Sequence, residues 1–211
     1  MGLVPYLAPL LTITAIAAAL PPANRIGAIV IASRHAVAPL PASYHAVPLF
    51  AVGDATAEAA RGQGFAHVLS ADGDAEALVA LVARSGPPHA RPLLLAAGLG
   101  QGRHLGERLA EAGFAVERRE VYAARPVAAL PEAARVMIGA HCAGGVLLFS
   151  RETALCLSRL VQEPDLLAGF PKLDLAAISE AVAEAARGLP WRSIRVAMTP
   201  TENAVLALLN D

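Results

Sequence analysis

Short apolar runs alternate along this chain with longer alanine-rich runs whose apolar positions recur every three or four residues. The short runs predict strands at 28–32, 49–52, 68–70, 93–96, 116–122, 146–149, 176–178 and 195–197. The periodic runs predict helices at 56–63, 75–85, 103–112, 153–161, 180–187 and 202–209. In 75–85, for example, Leu78, Leu81 and Val82 fall on one face, and Leu105 and Leu109 stand four apart in 103–112. Gly and Pro punctuate the intervals. Strand followed by helix, repeated, is the signature of an α/β fold with a parallel sheet covered on both sides.

The pattern also repeats at long range. Gly27 to Arg34 reads G-A-I-V-I-A-S-R, and Gly144 to Arg151 reads G-G-V-L-L-F-S-R at an offset of 117. Ala51 to Ala60 and Ala177 to Ala186 share A-x-x-x-A-x-A-E-A-A at an offset of 126, which also pairs Ala71 with Ala197 and Glu76 with Glu202. Two similar α/β units are therefore expected, with about nine extra residues in the second, near 163–169. In reverse, 113–122 aligns with 2–11. The strand at 93–96 and the helix at 103–112 then have no counterpart in the first copy. The repeat thus predicts one further strand and helix, roughly 20–25 residues at usual element lengths, ahead of Met1.

Residues 1–24 carry no charged side chain, which is long enough for a membrane span or an export signal. Pro5 and Pro9 fall inside the run, Pro21 and Pro22 close it, and no basic residue precedes it. The favoured reading is a buried strand at 10–16. Charged residues make up 17% of the 211 positions and the mean hydropathy is +0.50, with 48 alanines contributing much of it. Such a chain has enough apolar surface to fold and is not disordered. Its 17 basic and 18 acidic residues leave a net charge of −1, so no electrostatic footprint for nucleic acid exists. Cys142 and Cys156 are too few for a disulfide framework, so a reducing compartment is the default and both read as buried small hydrophobes.

Small polar residues cluster where strands are expected to give way to helices. Ser33-Arg34 and Ser150-Arg151 occupy such turns, as do Gly53-Asp54-Ala55-Thr56, Ser179-Glu180, Thr199-Pro200-Thr201 and the loop from Gly98 to Arg103. In open parallel sheets ligands sit at these strand ends, where free N–H groups hold carboxylates or phosphates. Arginine adds charge-assisted bonds. Helix capping is the better explanation of any single Ser or Thr, but their number in both units points to a large polyanionic ligand in a cleft between them. Gly98-Leu-Gly-Gln-Gly departs from the dinucleotide spacing, and there is neither a Walker lysine motif nor a G-x-S-x-G elbow. His35, His45, His67, His89, His104 and His141 form no metal-like motif and read as structural or exposed. Tyr122 ends a strand just before the expected passage between units. It reads either as a packing aromatic or as a phenol presented to ligand.

With these residues assembled, the chain resembles the uroporphyrinogen-III synthase family. The resemblance is carried by S-R-x-A-V at 33–37, by F-A-V-G-D-A-T-A at 50–57, and by Gly64-Phe65 followed by A-E-A-L at 75–78. The strand 113–120 leading to Val121-Tyr122, the turn Phe149-Ser150, and A-I-S-E-A-V-A at 177–183 complete it. It implies two similar parallel-sheet α/β domains joined by a two-stranded linker, with the ligand cleft between them. One domain would be discontinuous, 1–13 plus 123–211, and the other inserted, 14–122. The implied reaction closes the linear tetrapyrrole hydroxymethylbilane to uroporphyrinogen III, inverting ring D and losing water, without cofactor or metal. Tyr122 would be catalytic. Ser33, Arg34, Gly53, Thr56, Gly98, Arg103, Ser150, Arg151 and Ser179 would bind substrate. A monomeric cytoplasmic enzyme is expected, with no nucleic-acid or membrane partner. Val182 stands where many members carry threonine, and 96–98 lacks a basic residue often present there, for which Arg103 is placed to compensate. The alternative is a non-catalytic relative that binds an anionic ligand or a partner protein.

Overall fold

The computed structural model describes residues 4–85 and 90–209. The chain divides into two compact units, a continuous one of Ile13–Ala124 and a split one of Met1–Thr12 with Arg125–Asp211. The continuous unit contains most of β1 (Leu11–Ala15), then β2 (Ala28–Ile31), β3 (Leu49–Ala51), α1 (Asp54–Gly62), β4 (Val68–Ser70), α2 (Ala75–Ser85), β5 (Leu93–Gly98), α3 (Arg103–Glu111) and most of β6 (Val116–Pro126). Its sheet runs β1-β6-β5-β2-β3-β4, and every pairing from β6 to β4 is parallel. Strands β2 and β5 are buried along their whole length. Their uninterrupted A-I-V-I and L-L-L-A-A runs suit strands covered on both faces. Alternate side chains serve different cores. Ile29, Ile31, Leu94 and Ala96 pack on one face, while Ala28, Val30, Leu93 and Leu95 meet Leu78, Val82 and Leu109 on the other.

The split unit contains α4 (Glu132–Gly139), β7 (Gly145–Leu148), α5 (Arg151–Leu160), α6 (Pro164–Leu167), β8 (Asp174–Ala177), α7 (Glu180–Ala186), β9 (Ser193–Val196) and α8 (Glu202–Ala207). Its parallel sheet runs β7-β8-β9, the same order as β2-β3-β4. One face carries the main core around Leu148, Phe170, Leu175 and Val182, with Trp191 set edge-on against Phe170 at 4.8 Å. The other face is thin: Ala176, Ala197 and Val205 are its buried residues. Backbone bonds from Val127 N–H to Leu10 and from Ile16 N–H to Val121 tie β1 to β6 in opposite directions.

Three expectations are corrected. The strand near 10–16 is largely exposed, because β1 has a neighbour on one side only at the end of the sheet. Ser33 leads into a single 3-10 turn, Arg34–Ala36, rather than a full helix. Helices α4 and α6 were not anticipated, since α4 buries only Ala134 and Ile138 and α6 only Leu166. No helix among the described residues is long and apolar enough to cross a membrane.

The split unit's sheet is clasped at the start of its strands. Asp174 accepts from Arg192 at 2.8 Å and from Ser193 Oγ at 2.7 Å, and it faces Arg195 at 3.4 Å. The Arg192 guanidinium, with help from Ser193, holds the Asp174 carboxyl down at about 2. A depressed folded-state value stabilises above the unfolded carboxylate range near 3.8 and is lost as pH falls through about 2. The Nε of Arg195 is buried without a partner among the described residues, so the aspartate is the guanidinium's main compensation. Asp174→Asn is expected to lower stability at pH 7 by about 1–3 kcal/mol, the usual result of stripping a partner from a half-buried charged group. Urea titrations of both proteins should show that deficit shrinking as the pH is lowered from 4 toward 2.

Candidate functional site

Parallel pairing brings the carboxyl ends of the strands in each unit to one edge. In the continuous unit Ile31 pairs with Ala96, so Ser33 follows beside Gly98. A register shift between Ala97 and Gly98 then pairs Gly98 with Tyr122 of β6. Ser33, Gly98 and Tyr122 therefore line one pocket, together with Ala32, Ala96, Ala97, Gln101, Gly102 and Leu105. Its volume is about 90 Å³. At about 30 Å³ per water, that accommodates roughly three waters or one small polar substituent.

Tyr122 is the chemically distinctive group of this pocket. Only 4% of it is exposed, and its hydroxyl donates to Gln101 Oε1 at 3.0 Å. The His35 ring lies 5.8 Å from the phenol ring, tilted by 57°. Burial, and secondarily the neighbouring Arg34 guanidinium, lowers the His35 pKa, so the ring is mainly neutral at pH 7. Gly98 makes the Tyr122–Gln101 contact possible. A Cβ at position 98 would stand 2.7 Å from Gln101 Oε1 and 2.8 Å from Tyr122 Cζ. The loop then turns through Gly100 at φ +71° and Gly102 at φ +79°, left-handed conformations that favour glycine. The G-x-G-x-G run thus shapes a wall over the tyrosine.

The remaining candidates lie around the same kind of edge. Gly53 begins α1, its carbonyl accepting from Thr56 N–H at 3.1 Å and Ala57 N–H at 3.0 Å. Thr56 itself is buried. Ser33 Oγ accepts from His35 N–H at 3.3 Å. Arg103 opens α3 and lines a second hollow with Gly106, Glu107 and Arg118, not the tyrosine pocket. In the split unit Ser150 caps α5, accepting from Thr153 N–H at 3.1 Å, and Ser179 begins α7 through its carbonyl alone. Thr201 caps α8. The guanidinium groups of Arg34, Arg103 and Arg151 are exposed and have no hydrogen-bond or ion-pair partner among the described residues. Unpaired cations at strand ends suit an anionic ligand. Val182 is buried in the core of the split unit. Cys156 is also buried there, its thiol donating to the Leu10 carbonyl and pushed up in pKa by burial, whereas Cys142, expected to be buried, is exposed in the turn after α4. His89 lies outside the described residues. No group of three or more potential metal ligands occurs among those described.

Of the residues expected from sequence, Ser33, Gly98 and Tyr122 come together in this pocket, and the structure adds Gln101 to its lining and His35 beside Tyr122.

Residues 1–207 match the family model described as uroporphyrinogen-III synthase HemD. Among solved structures, the chain is similar to uroporphyrinogen-III synthetase from Helicobacter pylori 26695, with a TM-score of 0.67 and 15% identity over 95% of this chain and 90% of that one. A mutant uroporphyrinogen III synthase from the extremely thermophilic bacterium Thermus thermophilus aligns with a TM-score of 0.50 and 18% identity, over 96% of this chain and 85% of that one. These likenesses establish the fold. No curated protein sequence matches.

Gly98→Ala is expected to push Gln101 away from Tyr122 and to destabilise the protein by about 1–3 kcal/mol, the usual result of overpacking. Thermal unfolding checks the magnitude, and near-ultraviolet circular dichroism checks the altered tyrosine surroundings.

Proposed function

The chain belongs to the uroporphyrinogen-III synthase family, and from that membership we propose that it closes hydroxymethylbilane to uroporphyrinogen III. The observation that supports this most directly is Tyr122, a buried phenol at the wall of a small pocket on the strand-end edge. The pocket takes one terminal substituent of the bilane, while the rest of the chain lies outside it.

In this reading the terminal hydroxymethyl group of the bilane enters beside Tyr122. The phenol donates its proton to the hydroxyl oxygen as the carbon–oxygen bond breaks, and water leaves. The lone pair of the adjacent pyrrole nitrogen forms the new double bond, giving an electrophilic azafulvene. The pyrrole N–H proton then restores the phenol. The azafulvene carbon bonds to the substituted position of ring D, giving a spiro intermediate. The original bond from that position to the ring C methylene breaks, that methylene bonds to the other α-carbon of ring D, and loss of the proton there restores the pyrrole with the ring inverted. No oxidant or cofactor is required. Ser33, Gly53, Thr56, Gly98 and Arg34 receive substrate carboxylates on the continuous unit, with Arg103 close by. Ser150, Arg151 and Ser179 do so on the split unit. Holding a flexible polyanion in a ring-closing geometry is itself a large part of the rate enhancement. One chain and one bilane suffice, so the enzyme works as a monomer. A substrate with eight carboxylates does not cross membranes unaided, so the enzyme shares the compartment in which that substrate is made, which we take to be the cytoplasm.

A coupled assay with freshly generated hydroxymethylbilane, separating type III from type I product, tests the reading. Type III above the spontaneous type I background is expected. Tyr122→Phe should lower kcat by roughly 10²-fold, at the low end for a positioned general acid, with KM little changed. Type I product alone from the folded wild-type protein would refute the synthase reading and leave an anion-binding module in its place.

A further inference from the structure

The amide of Gln101 meets the hydroxyl of Tyr122 on a loop whose backbone is held from three sides. Gln101 N–H donates to the Gly98 carbonyl at 2.9 Å. The Gln101 carbonyl accepts from Arg118 Nη1 at 2.7 Å. The same Arg118 nitrogen donates to Glu120 Oε1 at 3.0 Å, and that oxygen also accepts from Gly100 N–H at 3.0 Å. The Gly100 N–H, and next to it Arg118, holds the Glu120 carboxyl below its ordinary range, so it remains an anion throughout the neutral region. The loop backbone is thus anchored to β6, the strand that carries Tyr122, while Gln101 itself is an exposed residue.

With Oε1 facing the phenol, the Tyr122 proton is engaged by Gln101 and is not available to a leaving hydroxyl. A primary amide carries an acceptor and a donor on the same carbon. A half-turn about the bond between Cγ and Cδ would present Nε2 instead. The phenol oxygen then accepts, its own proton is released toward the pocket, and negative charge that develops on the oxygen meets an N–H donor. Gln101 is an exposed residue, so water can satisfy the half of the amide turned away from the phenol in either orientation.

We propose that Gln101 is a positioning residue that holds the Tyr122 hydroxyl in the free protein and, by turning its amide, releases the phenol proton and steadies the phenolate as the substrate hydroxyl leaves. This rests on the role of Tyr122 proposed above. No bond to Gln101 is made or broken beyond the exchange of one hydrogen bond for another.

The test uses the full chain as wild type, Gln101→Leu, Gln101→Glu, Tyr122→Phe and the double variant Gln101→Leu/Tyr122→Phe. Two readouts are taken. The first is kcat and KM for type III product. The second is the tyrosine 13Cζ resonance of Tyr122, assigned by its loss in Tyr122→Phe, which reports the hydrogen bonding of the hydroxyl whether or not the protein turns over. Gln101→Leu should lower kcat by about tenfold, which is the loss of one hydrogen bond, with KM within about twofold. It should have no further effect in the Tyr122→Phe background. Gln101→Glu should be worse than Gln101→Leu, because a carboxylate only accepts and opposes phenolate charge. The 13Cζ resonance should move in Gln101→Leu. Equal losses from Gln101→Leu in both backgrounds, or full activity in Gln101→Glu, would overturn the proposal. So would a 13Cζ resonance that Gln101→Leu leaves unmoved. A wild type that makes no type III product while its resonance responds to Gln101→Leu would remove the reaction assigned to Tyr122 and support the hold by Gln101.

Discussion

The parallel register of β2, β5 and β6 is the constraint on which the tyrosine pocket depends. Ile31 opposite Ala96, and Gly98 opposite Tyr122, place Ser33, Gly98 and Tyr122 next to one another on three successive strands. Two cores hold that register, because β2 and β5 bury side chains on both faces. A slip of one residue would exchange the two faces and send Ile29 and Ile31 into the space built for Ala28 and Val30. Each fully buried Leu or Ile contributes roughly 1.5–3 kcal/mol, so the register is held far more strongly than any polar contact in the pocket could hold it.

The loop over the pocket is governed by weaker forces and finer geometry. The Arg118–Glu120 pair is about one-third exposed on each partner, and such pairs contribute about 0–1 kcal/mol. Its role is orientation: it selects one path for 99–102 among those the glycines allow. The core fixes where Tyr122 stands, and the clamp determines which group stands over it. A side chain at position 98 would be incompatible with that arrangement on steric grounds alone.

The two units show how one pattern is used unequally. Strands β2-β3-β4 and β7-β8-β9 share order and direction, and both present serine at the end of the first strand. After Ser33 the chain makes one 3-10 turn, whereas after Ser150 it enters the ten-residue helix α5. The split unit has a thinly covered sheet face, and its strand starts are clasped by Asp174 and two arginines. In both units guanidinium groups without a partner among the described residues remain near the strand ends, exposed to water, where their charge is available to a polyanion.

Periodicity and repetition alone determined the α/β class, nearly all strands, the paired units and the turns that carry Ser33, Gly98, Ser150 and Ser179. These are local matters: apolar runs, glycine and serine report their own backbone preference and burial. Its place at the end of a strand singled out Tyr122, and the family resemblance gave it a catalytic role. Helices α4 and α6 escaped because one or two buried side chains make no period. The exposure of β1 escaped because a strand's neighbours are not written in its own residues. Gln101 belongs to the same class. Nothing adjacent to it in sequence indicates that a bulge after Ala97, two left-handed glycines and an arginine from the next strand would bring its amide to a phenol 21 residues away. Only the tertiary structure could decide that, because the contact is produced by register between strands and by the absence of a side chain at Gly98.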